Sequence, residues 1–532
     1  MATEAPGTIG VVGAGTMGAG IAQLACQAGA RTLLHDPIPE ALERGRGIVT
    51  GGLEKAVTRG KLSEADCEAA AARLELAAEL DGLAPCDLVI EAAPERLELK
   101  RELFAGLSEL VRDDCVLATN TSSLPVTALA AAAQRPERVV GMHFFNPAPV
   151  MRLLEVVAGA ESSEAALALA RAAGEAMGKD VIDAADGPGF LVNRCGRPFG
   201  LEGLRLVQER LASIEQVDRV CRLGGGFRMG PFELMDLVGV DVGLEVSRSF
   251  YEQSFGEPRW RPSPITARMV AAGRHGRKAG RGYYDYRDGP HRPEDPPARE
   301  PGTGTERLLI TGDSVIAHEL RSAARAAGYE VQDEPDPAGE APWLILDCGP
   351  GEEPATAAPL QGGPLALLCA EGSLAALDPA GTAAGFHALP PFEEARLVEL
   401  TRTATTSKVA AERAATLFGT LGREVEWVGD APGLVLGRIV CQLVNEAAFA
   451  LREEVGSARD IDAGMRLGLN YPRGPLEWAD TIGLDHVLAV LDALHAEYGE
   501  ERYRPAPLLR HLVWEGRLGR HTGAGFHEHE PG

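Results

Sequence analysis

The segment TIGVVGAGTMGAGIAQLACQAGARTLLHDP, residues 8–37, decides the fold of the front of this chain. An apolar run ends at Val12 and is followed by the pattern G-x-G-x-x-G. A helical pattern comes next, and then a second apolar run that ends on Asp36. The glycines allow a tight turn, a close approach of backbone N–H groups to a pyrophosphate, and close packing of helix on strand. A carboxylate 18 residues after the last glycine can bond both ribose hydroxyls and repel a 2′-phosphate. The segment therefore predicts a Rossmann-type site for NAD rather than NADP, formed by the loop and the acid: Gly13, Ala14, Gly15, Thr16, Met17, Gly18 and Asp36.

A second segment, VGMHFFNPAPVMRLLE at 140–155, carries one histidine and one glutamate on either side of a proline-containing turn. His143 follows a β-like run at 138–142, and Glu155 belongs to another at 151–157. Paired strands would let the carboxylate hold the imidazole in one tautomer and stabilise it when it takes a proton. The alternative to a catalytic pair is that His143 is a core histidine and Glu155 a solvated strand end. This interpretation would be favoured if the pair stood alone. The nucleotide site upstream favours a catalytic pair.

These two segments and four further motifs, in the same order, resemble the 3-hydroxyacyl-CoA dehydrogenase family. The resemblance covers about residues 7–286 and continues in reduced form through 306–530. The further motifs are DLVIEAAPERLELKRELF (87–104), LATNTSSLPVT (117–127), GPGFLVNR (187–194) and GRKAGRGYYDY (276–286). Taken singly, the last three would be interpreted as a polar turn, a helix cap and a solvated basic loop. Their joint occurrence favours the family.

The resemblance implies a role for each matched residue. It implies that His143 is the catalytic base, that Glu155 orients it, and that Asn193 is the substrate-positioning amide. Ser122 would contact both the nicotinamide and the 3-oxygen of the substrate. The remaining implied cofactor contacts are Glu95, Lys100, Asn120, Asn146 and Lys278.

The activity that the resemblance implies is NAD-dependent oxidation of a 3-hydroxyacyl-CoA to the 3-oxoacyl-CoA, a step of β-oxidation type. The second half of the chain repeats the first, as described below, and this duplicated architecture is similar to that of bacterial 3-hydroxybutyryl-CoA and 3-hydroxyadipyl-CoA dehydrogenases, including those of phenylacetate breakdown. Two alternatives remain, a hydroxyacid dehydrogenase on the same scaffold and a non-catalytic NAD-binding protein. No metal is expected, because no His, Cys and Asp residues show ligand spacing.

Composition limits the partners and the compartment. The 532 residues carry a net charge of −25, which argues against nucleic acid and anionic membrane as partners. An anionic acyl-CoA substrate therefore needs local basic residues, and the segment after Asp36 supplies Arg44, Arg46, Lys55, Arg59 and Lys61. Nine cysteines without CxxC pairs predict reduced thiols. The opening MATEAPGTIG lacks signal-peptide features and no apolar run could span a membrane, so a cytoplasmic protein is expected.

The second half of the chain repeats the first. DGPGFLVNRCGRPFGLEGLRLVQE begins at Asp186, and DAPGLVLGRIVCQLVNEAAFALRE begins 244 residues later at Asp430. His387 and Glu399 stand 244 residues beyond the first histidine and glutamate. The loop at 312–314 lacks the second and third glycines, Asn193 maps to Gly437 and Lys278 maps to His521. We therefore interpret the second pair as a remnant that holds two strands together, with a second active site as the alternative.

The fold class predicted is α/β plus all-α, each in two versions. A Rossmann-type NAD-binding domain (1–185) precedes a helical domain (186–286), a linker (287–305), a reduced Rossmann-like domain (306–429) and a second helical domain (430–532). Long helices are predicted to start near Gly189 and Ile214. The second helical domain is expected to pack on the first, in a monomer or a homo-oligomer. The active site is expected above the strand carboxyl ends, between the first two domains.

Overall fold

A computed structural model describes residues 4–336, 339–349, 362–379 and 381–530 of the chain. The chain divides into two compact units. Unit 1 runs through Arg194 and adds Glu453–Leu469, and unit 2 takes Cys195–Arg452 and resumes at Asn470. Each unit contains one mostly parallel sheet.

The sheet of unit 1 has eight strands in the order β3-β2-β1-β4-β5-β6-β7-β8. They are β1 Thr8–Val12, β2 Arg31–His35, β3 Leu74–Ala77, β4 Leu88–Glu91, β5 Val116–Thr119, β6 Val139–Phe144, β7 Leu153–Ala158 and β8 Asp180–Ala185. The helices are α1 Thr16–Gln27, α2 Pro39–Thr58, α3 Glu64–Ala71, α4 Leu97–Leu110, α5 Val126–Ala130 and α6 Glu164–Ala176. Every strand pair is parallel except β6 and β7. The predicted strand–turn–helix–strand at the front is confirmed.

The sheet of unit 2 has seven strands in the order β10-β9-β11-β12-β13-β14-β15. They are β9 Arg307–Thr311, β10 Glu330–Gln332, β11 Leu344–Asp347, β12 Leu365–Leu368, β13 Ala384–His387, β14 Leu397–Thr401 and β15 Glu424–Trp427. The accompanying helices are α13 Val315–Ala326, α14 Leu374–Leu377 and α15 Lys408–Thr420. Within the described residues this sheet lacks a counterpart of β3 and of the α2–α3 helical hairpin. The predicted reduction of the second Rossmann-like unit is confirmed.

The helical copies follow the two sheets in the chain. The first copy contains α7 Val192–Cys195, α8 Arg197–Gln208, α9 Ile214–Leu223, α10 Pro231–Val238, α11 Val240–Gln253 and α12 Pro264–Ala271. The second contains α16 Leu436–Arg452, α17 Ala458–Leu469, α18 Pro475–Ile482, α19 Leu484–Tyr498 and α20 Pro507–Trp514. The repeat extends to backbone angles: Phe190 (φ 50°) and Leu434 (φ 48°), 244 residues apart, share the left-handed conformation. Helix α8 packs against its counterpart α16, as expected for two helical domains that pack together.

One predicted helix was wrong. The helix expected to run on from Gly189 is broken after α7, and a new helix begins at Arg197. Pro198 has no backbone N–H to donate, and Gly196 before it favours the break. The second copy has Gln442 at the position of Pro198, and α16 runs unbroken through it.

The two copies exchange equivalent contacts. Helix α9 of the first copy packs against β14, and α17 of the second copy packs against β7 and β8. Arg438 pairs with Glu209 at 2.8 Å, and Arg194 pairs with Glu453 at 2.8 Å. Arg438 lies 244 residues after Arg194, and Glu453 lies 244 residues after Glu209. Each ion pair therefore joins a residue of one copy to a residue of the other, which is the pattern of a pseudo-two-fold interface made within one chain.

Two further expectations concern whole-chain properties. None of the nine cysteines, all of which lie in the described residues, forms a disulfide bond, and eight of them are buried. Among the described residues, no helix has both the length and the apolar character needed to cross a bilayer.

Candidate active site

The glycine-rich loop connects β1 to α1. Gly13 adopts φ +98°, and an added Cβ would lie 2.6 Å from the carbonyl oxygen of Ala92. An added Cβ at Gly18 would collide with the carbonyl oxygen of Gly13. At Gly15, in contrast, an added Cβ would meet no atom within 4 Å. The loop is therefore tight on its inner side and open on its outer side, where backbone N–H groups can approach a phosphate.

Asp36 lies directly after β2 and is tied to this loop. Its Oδ2 accepts a hydrogen bond from Ala14 N at 2.9 Å, and its Oδ1 accepts one from Ile38 N at 3.0 Å. The carboxylate is therefore held at the end of the strand beside the loop, where the ribose of a dinucleotide lies in Rossmann folds. The open loop and the fixed acid fit NAD.

His143 and Glu155 face each other across the antiparallel pair β6 and β7. The Nδ1 atom of His143 lies 2.6 Å from Oε2 of Glu155, and both side chains are buried. A carboxylate accepts only, so Nδ1 carries the proton and Nε2 is the basic nitrogen. Nε2 makes no hydrogen bond to a described residue and remains accessible. The structure thus brings the predicted pair together in the tautomer that a base requires.

Glu155 is also held from the chain that leads into α7. Its Oε1 accepts hydrogen bonds from Leu191 N at 3.2 Å and Val192 N at 2.9 Å. These two amides compensate for the burial of the charge. The His143 ring packs against two aromatic rings, Phe145 at 4.6 Å and Phe190 at 5.8 Å between centroids.

A buried lysine organises the polar loop after β5. Lys100 is 1% exposed and lies 3.1 Å from Glu91 and 2.8 Å from Glu95. Burial opposes ionisation of Glu95, but the charge of Lys100 and several hydrogen bonds outweigh it and lower the pKa of this carboxyl group. Glu95 accepts hydrogen bonds from Thr121 Oγ1 at 2.6 Å and from Ser122 N at 3.1 Å. Lys100 and Glu95 therefore hold the loop that presents Ser122.

The other predicted residues occupy different places. Asn120 accepts a hydrogen bond from Phe144 N at 2.8 Å, next to His143 in the chain. Asn146 is exposed on the turn after β6. Asn193 is the second residue of α7, directly after the amide that binds Glu155. Lys278 belongs to unit 2, where it pairs with Asp241 at 2.7 Å and is half-exposed.

The second copy keeps the strand register but not the pair. His387 still faces Glu399 across β13 and β14, and Glu399 still accepts from two amides, those of Val435 and Leu436. However, Nδ1 of His387 has no hydrogen-bond partner among the described residues, and its Nε2 lies 3.2 Å from Nε2 of His486.

Burial explains the charge state of this remnant. Burial raises the pKa of Glu399 to about 8 and lowers the pKa of His486 to about 4. The pKa of His387 is also lowered, by burial and then by His486. All three groups are therefore neutral near pH 7.

Gly437 explains part of the difference between the two copies. A Cβ added there would collide with the His387 ring, so the ring occupies the space of a side chain. Asn193 stands at the repeat position of Gly437. The second pair thus has a glycine at the position of Asn193, and its His387 Nε2 is occupied by His486.

The loop after β9 lacks the second and third glycines of the first loop. Ser314 takes the place of the second glycine, and its hydroxyl donates to the carbonyl oxygen of Cys348 at 2.9 Å. Ala317, fully buried, takes the place of the third glycine. Arg321 donates to the carbonyl oxygens of Ile310 and Gly312. Ser314 and Ala317 therefore carry side chains at the positions where Gly15 and Gly18 carry none.

Sequence reasoning missed three parts of the site. Glu91, buried at the end of β4, pairs with Lys100, and a charged residue closing an apolar strand was the signal for it. His486 replaces Val242 of the first copy, which an alignment of the two copies would have shown. The amides at 191 and 192 have no side-chain signal in the sequence.

Comparison with known proteins gives the same family over most of the chain. Residues 8–187 match the model of the NAD binding domain of 3-hydroxyacyl-CoA dehydrogenase. The model of the C-terminal domain matches twice, at 189–286 and 433–529.

Individual relatives agree. A 3-hydroxyadipyl-CoA dehydrogenase of Escherichia coli is 37% identical over 503 residues, which cover 94% of this chain and 96% of the relative. A probable 3-hydroxybutyryl-CoA dehydrogenase of Deinococcus radiodurans is 41% identical over 277 residues, covering 52% of this chain and 99% of the relative. The crystal structure of a 3-hydroxybutyryl-CoA dehydrogenase from Escherichia coli matches with a TM-score of 0.80 at 35% identity, covering 96% of this chain and 99% of that one.

Proposed function

Because the chain belongs to the 3-hydroxyacyl-CoA dehydrogenase family, we propose that it oxidises the 3-hydroxyl group of an acyl-CoA with NAD as the hydride acceptor. The observation that carries this proposal is the pairing of His143 Nδ1 with Glu155 at 2.6 Å, which leaves Nε2 available. A hydroxyacid dehydrogenase and a non-catalytic NAD-binding protein are less well supported, because the family and this pair account for an acyl-CoA oxidation together.

The residues act in the following way when NAD is bound along the Gly13–Gly18 loop. NAD supplies the acceptor for the hydride that leaves C3 of the substrate. His143 Nε2 accepts the proton of the 3-hydroxyl group, and the C3–O bond becomes a carbonyl. The carboxylate of Glu155 stabilises the imidazolium that forms. In the reverse reaction the protonated imidazole is the acid.

Polar groups around the reacting oxygen complete the proposal. We assign Ser122 and Asn193 as hydrogen-bond donors to the 3-oxygen or the thioester carbonyl, where charge develops. Glu95 and Lys100 support this role by fixing the loop of Ser122. Asn120 and Asn146 are assigned as cofactor contacts on either side of His143. Lys278, in unit 2, is assigned to the cofactor by family resemblance.

For the substrate we propose 3-hydroxyadipyl-CoA and 3-hydroxybutyryl-CoA, the compounds in the names of the relatives. The relative that matches almost the whole chain favours the adipyl compound. The nine free cysteines support a reducing compartment, and we propose the cytoplasm.

The test measures formation of NADH by its absorbance, with 3-hydroxyadipyl-CoA, 3-hydroxybutyryl-CoA and free 3-hydroxybutyrate as substrates. We expect turnover of the CoA thioesters with NAD and little turnover of the free acid. His143→Gln should lower kcat by about 10²-fold to 10⁴-fold with the Kd for NAD nearly unchanged. Preference for the free acid would favour the hydroxyacid dehydrogenase, and NAD binding without turnover would favour the non-catalytic protein.

A further inference from the structure

A segment of the second copy lies inside unit 1. Residues 453–469, which include α17, belong by the repeat to the second helical domain, yet they pack with the sheet that carries His143 and Glu155. Their counterpart in the first copy, around α9, packs on β14 in unit 2.

The segment is fixed to the residues around the catalytic pair at its start. Glu453 pairs with the buried Arg194 at 2.8 Å, and Arg194 directly follows Asn193. The carbonyl oxygen of Val455 accepts a hydrogen bond from Ala185 N at 2.8 Å, at the end of β8. The second copy therefore holds both sides of the turn at 186–194.

Two glycines then bring α17 close to the same turn. Gly464 and Gly468 are four residues apart, so they share one face of the helix. A Cβ at Gly464 would lie 2.8 Å from Val192 Cγ2 and 3.0 Å from Ile182 Cδ1. A Cβ at Gly468 would lie 2.9 Å from Leu153 Cδ2 and 3.0 Å from Val192 Cγ1. Each methyl group would therefore have to displace its neighbours.

These neighbours are the ones that hold the catalytic pair. Val192 N donates to Glu155 at 2.9 Å, so a shift of Val192 moves an anchor of the carboxylate. A Cβ at Gly468 would also lie 3.4 Å from Cε1 of Phe145, whose ring packs on His143. The glycine face of α17 thus lies against residues that contact both catalytic side chains: Val192, which contacts Glu155, and Phe145, which contacts His143.

We propose that Gly464 and Gly468 are positioning residues for the His143–Glu155 pair, and that the second copy thereby completes the active centre of the first. The inference rests on the proposed function. It gives the second copy a catalytic purpose besides packing against the first helical domain. Position 464 is occupied by Val220 in the first copy, so the room at Gly464 is specific to the helix that lies behind the pair.

The test compares Gly468→Ala with Gly224→Ala in the full chain. Gly224 stands at the repeat position of Gly468, and its Cβ would lie 2.8 Å from a backbone oxygen and 3.3 Å from Leu436 Cδ2, away from the catalytic pair. We expect Gly468→Ala to lower kcat by about 10-fold to 100-fold, as small misplacements of catalytic groups do. KM for NAD should change less than about two-fold. Gly224→Ala should keep kcat within about two-fold of wild type.

A readout independent of turnover separates this inference from the proposed function. The proton NMR resonance of His143 Nδ1–H reports its short hydrogen bond to Glu155, and His143→Gln identifies it. Gly468→Ala should move this resonance, and Gly224→Ala should not. Wild type without activity on the thioesters would refute the proposed function, whereas the resonance would still test the positioning.

Two results would overturn the inference. One is equal kcat and an unmoved resonance in both alanine variants. The other is a loss of kcat in Gly468→Ala that only follows its folded fraction, measured by circular dichroism. Glu453→Gln is the milder variant if Gly468→Ala does not fold, because Glu453 is half-exposed; it should lower kcat in the same direction, and unchanged kcat counts against the inference.

Discussion

Glu155→Gln is the change that tests the active site most directly. A glutamine keeps an oxygen for the amides of Leu191 and Val192, so the turn before α7 can stay in place. Its NH2 group then faces Nδ1 of His143, 2.6 Å away in the wild type. Two donors cannot share that contact, so the ring moves its proton to Nε2 and loses the lone pair that accepts the substrate proton.

The size of the effect follows from the geometry. Opposite charges about 4 Å apart at an effective dielectric constant of about 20 attract by about 4 kcal/mol. Removing that attraction from the imidazolium corresponds to about 10³-fold in rate. Because the proton is only partly transferred in the transition state, we expect kcat to fall by about 10²-fold to 10³-fold.

The assay is NADH formation at saturating NAD and acyl-CoA, with Glu399→Gln as the matched control. Glu399 has the same two amide donors but no imidazole partner, and burial raises its pKa to about 8. The Glu399 side chain is therefore neutral at pH 7, and glutamine is a neutral side chain of nearly the same size and shape. Glu399→Gln should leave kcat within about two-fold. Equal losses in both variants, or a loss below ten-fold in Glu155→Gln, would refute the assigned role of Glu155.

Three further predictions concern the cofactor and the second copy. Asp36→Ser should weaken the binding of NAD and reduce the ratio of kcat/KM for NAD to kcat/KM for NADP. A wild-type enzyme that prefers NADP would contradict the assignment of the loop. His387→Gln should leave turnover within a few-fold, and calorimetry should find one NAD per chain; two would indicate a second nucleotide site. Stability to urea should fall as the pH drops from about 6.5 to 4, because the unfolded chain binds protons that buried His486, with its pKa near 4, does not. The His486→Gln variant should lose about 3 kcal/mol less than wild type over this range, because His387 and Glu399 still contribute to the pH dependence in both proteins.

The sequence was sufficient wherever local chemistry determined the structure. The glycine spacing and Asp36 predicted the nucleotide loop, and two β-like runs predicted the contact between His143 and Glu155. The offset of 244 predicted the second helical domain and the second pair of histidine and glutamate strands, and the missing glycines at 312–314 predicted a reduced second Rossmann-like unit. Each of these depends on neighbours in the chain or on a repeat that can be read directly.

Other features depended on contacts between distant residues. The offset shows that α9 and α17 correspond, but not which sheet each one packs against. Lys100 was assigned to the cofactor by resemblance, and its burial between Glu91 and Glu95 appears only in three dimensions. The broken helix at Pro198 is a different case, because the proline in the sequence itself signals the break.

The covalent link between the two copies has a genetic consequence. If two identical chains made the same exchange, every substitution would appear in both, and a site could not be lost from one without being lost from the other. Here positions 193 and 437 are separate codons, so one can carry asparagine while the other carries glycine. Selection can therefore act on the two copies separately, including on α17, which packs against β7 and β8.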